Sequence, residues 1–142
     1  MPSLEKNGTG QRVLGGHPQR LPYQIQIIRK VAPDGVGWVM HECGAVLVSP
    51  KFVLTAKHCI YDGDSIIDQN ELELLAGGFI SIDNKAQNRR IARYITISSE
   101  WPIQPDIAMI EVDTPFDLNK DVIPACLPNR PAPIGSKCVG KV

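Results

Sequence analysis

Apolar and polar residues alternate in short runs along this chain, and turn signals separate the runs. Tyr23-Gln24-Ile25-Gln26-Ile27 has period two, the pattern of a strand with one buried face. Gly44–Val48 and Phe52–Thr55 are apolar stretches divided by the turn-like Ser49-Pro50-Lys51. Glu71-Leu72-Glu73-Leu74 alternates again, and the segment 90–98 is rich in Ile, Tyr and Thr, which suit a pleated surface. Ile107–Val112 is nearly all apolar and reads as a strand buried on both faces. The loops Asp62-Gly63-Asp64 and 82–87 carry Gly, Asn and Asp. No window of 11–18 residues sustains a helical period. Short strands with turns between them predict an all-β fold, an antiparallel barrel or sandwich.

Composition narrows this further. Fifteen basic and fifteen acidic side chains cancel, so the basic footprint of a nucleic-acid binder is missing. No apolar run approaches the ~20 residues that span a bilayer, so neither nucleic acid nor membrane is an expected partner. The opening MPSLEKNGTGQ is polar and lacks the apolar core of a signal peptide. Residues 132–142 read as a Pro/Gly loop entering a strand that the chain does not finish, so a larger domain is expected. The four cysteines, at 43, 59, 126 and 138, allow three pairings. A hairpin through Ser49–Lys51 would bring Cys43 and Cys59 together. Cys126 and Cys138 have no obvious local partner. One bridge or two remains open on this pattern alone.

The residues SPKFVLTAKHC at 49–59 change the picture. They resemble the histidine motif of the trypsin/chymotrypsin-like serine proteases, in which a strand ends in T-A-A-H-C. His41-Glu42-Cys43-Gly44-Ala45 is similar to that family's H-F-C-G-G, and Asp106-Ile107-Ala108-Met109-Ile110 to its D-I-A-L-L. Pro124-Ala125-Cys126-Leu127-Pro128 resembles the P-x-C-L-P link between the family's two barrels. Arg12-Val13-Leu14-Gly15-Gly16 resembles the R-I-V-G-G activation junction. Five motifs in family order carry far more weight than one.

The resemblance implies a six-stranded antiparallel Greek-key barrel, the first of two. On that division residues 1–12 are a polar pro-segment, 13–128 the first barrel, and 129–142 the connection and the start of the second barrel, which is absent. It implies a serine endopeptidase that acts on proteins and peptides by acyl transfer, with no cofactor and no metal. His58 is the expected general base and acid, because an imidazole titrates near 6.5. Asp106 is expected to fix the tautomer of His58 and to stabilise its charged form, a role carried over from the serine protease triad. The family's serine stands in G-D-S-G-G. After Asp106 the only serine is Ser136, in Gly135-Ser136-Lys137-Cys138, which matches the approach to a structural cysteine. The chain alone is therefore expected to be inactive without the missing barrel. The resemblance also implies a Cys43–Cys59 bridge, with Cys126 and Cys138 lacking partners here. It implies secretion, since disulfides persist in oxidising compartments, and cleavage between Arg12 and Val13 by an activating protease.

Departures and rivals bear on the same residues. Lys57 replaces the small residue usual before the histidine; facing solvent it is harmless, and facing Asp106 it would disturb the pair. Asp83 alone makes a poor calcium site. Trp101 is placed to line a substrate groove or simply to pack. Asn7-Gly8-Thr9 is a formal glycosylation sequon. A zinc site from His41, Cys43, His58 and Cys59 is disfavoured because adjacent side chains diverge. A non-catalytic, protease-like binding module is the remaining alternative, decided by the residue at the serine position.

Overall fold

The structure, a computed structural model, describes residues 21–31, 38–78, 86–96 and 105–137. Six strands close into an antiparallel barrel: β1 (Gln24–Val31), β2 (Trp38–Ser49), β3 (Phe52–Thr55), β6 (Leu72–Ala76), β7 (Gln87–Thr96) and β8 (Ala108–Val112). Their order around the barrel is β1-β2-β3-β8-β7-β6. The chain leaves β3, crosses the barrel end and returns as β6 on the far side of β1, which is the Greek-key step. The crossing segment holds a single 3-10 turn (Lys57–Ile60), a small hairpin of β4 (Tyr61–Asp62) and β5 (Ser65–Ile66), and a second 3-10 turn (Gln69–Glu71). Among the described residues no helix is long and apolar enough to cross a membrane.

The alternation seen in the sequence becomes the inside of the barrel. Ile25 and Ile27 of β1, Leu47 of β2, Val53 of β3, Leu72 and Leu74 of β6, and Ile110 and Val112 of β8 are fully or almost fully buried in one cluster. Phe116 and Val122 close it from the connection that follows β8. The Ser49–Lys51 turn is fixed by the Phe52 N–H donating to Ser49 Oγ at 3.2 Å. The Phe116 N–H donates to the Pro50 carbonyl at 2.7 Å and pins the later segment over that turn.

Two strand expectations need correction. The segment 107–112 is not buried on both faces. Ile107 is exposed, and β8 alternates, with Ala108, Ile110 and Val112 inside and Met109 and Glu111 only half-buried. A closed antiparallel barrel has one inside, so a run of apolar residues still splits between two faces. β6 deviates the other way and is buried throughout, Glu73 included. The Glu73 carboxylate lies on the outer face, where Lys30 of β1 pairs with it and Asn88 of β7 donates to it. A buried carboxylate needs such partners, because leaving it bare costs several kcal/mol.

Candidate active site

Register builds the site. β3 and β8 pair with Thr55 opposite Ala108, so the end of one strand meets the start of the other. Three residues beyond Thr55 stands His58, and two before Ala108 stands Asp106, brought together across 48 positions of sequence. His58 sits on the 3-10 turn that stops β3, capped where the Tyr61 N–H donates to the His58 carbonyl. His58 Nδ1 lies 2.6 Å from Asp106 Oδ2. The backbone N–H of His58 donates to Asp106 Oδ1 at 2.8 Å.

Both carboxylate oxygens are thus occupied by donors from one residue. The imidazole holds the Asp106 carboxyl below its ordinary pKa, with the His58 amide, the His58 charge and the Lys57 amide adding to the effect. An ionised carboxylate accepts only, so Nδ1 must carry the proton and the Nε2 lone pair is left open. That arrangement can take a proton from a hydroxyl and hand it on. The sign of the pH dependence follows from the lowered pKa. Stability from this contact is present above the ordinary aspartate value of about 3.9 and is lost as pH falls through the lower, folded value. An Asp106 carboxyl-carbon NMR titration is expected to show a midpoint below about 3.9, and a midpoint above it would contradict the assignment.

Asp106 is not buried, although it stands just before a strand with an apolar inner face. Its side chain is 55% exposed and that of His58 70%. Asp106 precedes β8 and turns toward the barrel rim, where the polar partners are, rather than into the apolar interior. Lys57 lines the groove together with the pair. Its ammonium lies 6.0 Å from the centroid of the Tyr61 ring. An open groove surrounds the pair, lined by Lys57, His58, Tyr61, Gly63, Asp64, Pro105 and Asp106. The hairpin residues among these were legible only as a turn, since Asp62-Gly63-Asp64 does not say what it folds against. Gly63 takes φ +61°, which lets the chain reverse there.

Cys43 and Cys59 form a disulfide with Cα atoms 6.0 Å apart, tying β2 to the 3-10 turn beside His58. Thr55 Oγ donates to the Gly44 carbonyl at 3.0 Å and reinforces the same junction. A bridge enclosing a loop of this size contributes about 3 kcal/mol. The Cys43→Ala/Cys59→Ala variant is expected to lose about that much in a denaturant titration, and a loss under about 1 kcal/mol would contradict it.

The divergence expected of adjacent His58 and Cys59 does not hold. Ligand atoms of Cys43, His58 and Cys59 lie within 4.8 Å of one another. Both sulfurs are nonetheless consumed by the bridge, and a metal needs thiolates. Cys126 is a free, exposed thiol. Cys138, Arg12, Val13, Asn7, Asp83 and Trp101 lie outside the described residues, as does the side chain of His41.

Comparison with known proteins agrees with this geometry. The family model described as Trypsin matches residues 13–140. The chain is 33% identical over 132 residues to "Trypsin" of Phaedon cochleariae, covering 89% of this chain and 46% of that protein. It is 26% identical to "Serine protease SP24D" of Anopheles gambiae, over 92% of this chain and 45% of the other. It is 31% identical to "Coagulation factor IX" of Oryctolagus cuniculus, over 84% and 42%. The chain therefore spans less than half the length of these curated relatives. A match that runs through nearly the whole sequence, on a barrel of this strand order, establishes that the chain belongs to the trypsin family of serine proteases.

Proposed function

We propose that this chain is the base-bearing half of a secreted serine endopeptidase, in which His58 is the general base and acid and Asp106 orients it. The observation that carries the reading is the 2.6 Å contact between His58 Nδ1 and Asp106 Oδ2, which leaves Nε2 open on a groove. In the proposed reaction Nε2 takes the proton of a serine hydroxyl as that oxygen attacks a peptide carbonyl. The imidazolium, held by Asp106, then gives the proton to the leaving amine.

The nucleophile belongs to a partner segment, the second barrel. Among the described residues no serine, threonine or free cysteine lines the groove, and Ser136 Oγ donates to the Pro133 carbonyl at 2.5 Å, in the connection after β8. The 142-residue polypeptide is accordingly inactive by itself. Incubated with an active-serine fluorophosphonate probe, it is expected to take no label. Labelling at any of its serines would overturn the assignment. Residues 1–12 form the pro-segment, 13–128 the first barrel and 129–142 the inter-barrel connection with the start of the second barrel. An activating protease cleaves between Arg12 and Val13. The disulfide and the family support an extracellular location. Lys57, next to the base, is the one feature that favours a binding module instead. A residue other than serine at the nucleophile position of the following gene segment would decide for that reading.

A further inference from the structure

The hairpin beside His58 is short enough that it needs an external hold. Its arms, β4 and β5, are two residues each, and an isolated hairpin is marginal even when longer. At the base it is well secured. The Ile67 N–H donates to the Ile60 carbonyl at 2.8 Å, both isoleucines are buried, and Tyr94 Oη donates to the Ile67 carbonyl at 2.9 Å. Further out, Asp62, Gly63, Asp64, Ser65 and Ile66 are exposed. Among the described residues one side chain from a barrel strand makes a polar contact with this outer part. Arg29 of β1 donates to Asp62 Oδ2 at 3.3 Å and to Glu71 Oε2 at 3.0 Å.

We propose that Arg29 is a positioning residue for the wall of the groove: by clasping Asp62 and Glu71 it holds the Tyr61–Ile66 hairpin beside His58. Tyr61, Gly63 and Asp64 of that hairpin line the groove together with Pro105 and Asp106. β1 is paired on both edges, to β2 and β6, so the guanidinium is mounted on a rigid strand. Exposed ion pairs are individually weak. Here they act on an element whose own stability is close to zero, so a small bias sets how often it stands closed. The planar fork of Arg reaches two carboxylates at once, which an ammonium does less well. A peptide lying past His58 would meet this wall, and that consequence rests on the protease reading above.

Hydrogen exchange of the amides of residues 61–66 tests the clasp on the 142-residue chain directly. Arg29→Ala is expected to speed their exchange about two- to fivefold while amides of β3 and β8 are unchanged. High salt should do the same to the unaltered chain, and Arg29→Lys should restore only part of the protection. In the protein joined to its second barrel, Arg29→Ala should raise KM about threefold for a peptide long enough to touch the hairpin. A short substrate should keep its kcat and KM. Unchanged exchange at 61–66, or equal KM changes for both substrates, would overturn the proposal. Failure of the unaltered two-barrel protein to cleave either substrate would overturn the protease reading instead, while the exchange result still decides the clasp.

Discussion

Asp106→Asn is expected to lower kcat about 10⁴-fold in the two-barrel protein while leaving the fold intact. Geometry explains why so conservative a change is so costly. Oδ1 accepts the backbone N–H of His58 at 2.8 Å, and an asparagine oxygen can do the same, so the side chain stays in place. Its amide nitrogen then takes the position of Oδ2, 2.6 Å from Nδ1. Two donors cannot face each other, so His58 must shift its proton to Nε2 and present a lone pair to the asparagine. The ring atom that faces the groove becomes a donor and can no longer accept a proton from a hydroxyl. The tautomer can be read on the 142-residue chain by nitrogen-15 NMR of His58, independently of activity. A retained Nδ1–H tautomer, or a kcat within about tenfold of the parent, would contradict the role given to Asp106.

The second large effect concerns the barrel that carries the pair. Ile110→Ala is expected to destabilise the chain by about 2–5 kcal/mol, because a fully buried side chain is lost and the closed barrel relaxes only partly around the cavity. Ile110 stands at the middle of β8, across from Val53 of β3 and Tyr94 of β7. It therefore packs the same strand pair whose ends present His58 and Asp106. Ile110→Val, which removes one methylene, should cost about 0.5–1.5 kcal/mol and keep the site assembled. Urea titrations of the two variants give the comparison. If alanine costs no more than valine, Ile110 is not a keystone of the core.

The tightness of this core also bears on why the site is exposed. Barrel closure sends alternate residues of every strand inward, and what remains for the rim is polar. His58 and Asp106 emerge there, satisfied by each other and open to whatever covers the groove. The exposed Ile107, Leu118, Ile123 and Leu127 mark apolar surface on segments that flank and follow β8. On the proposed reading, apolar surface of this kind meets the second barrel.

Much of the architecture could be read from residue order. A period-two pattern located β1, an apolar run beside a turn located β3, Ile, Tyr and Thr content located β7, and the five motifs gave the family, the bridge and both members of the pair. Local patterning works for strands because side chains alternate strictly along an extended chain. It failed at β6 and β8 for one shared reason. Whether an outward residue is buried depends on neighbours from other strands: Lys30 and Asn88 cover Glu73, while Ile107 stays exposed. The hairpin wall and its Arg29 clasp were invisible for a similar reason. Arg29, Asp62 and Glu71 are ordinary surface charges in sequence, and they meet only when β1, β4 and the turn before β6 come to one end of the barrel.

The sequence by itself thus determined which residues are chemically equipped: an imidazole, a carboxylate, and two cysteines that the family resemblance pairs. Tertiary structure decided what state they are in. The Thr55–Ala108 register set Asp106 against Nδ1 rather than Nε2, which fixes the tautomer, lowers the carboxyl pKa and leaves the basic nitrogen on the groove. Proton affinity and direction depend on distances of a few ångströms between residues 48 positions apart, and only the closed barrel supplies those distances.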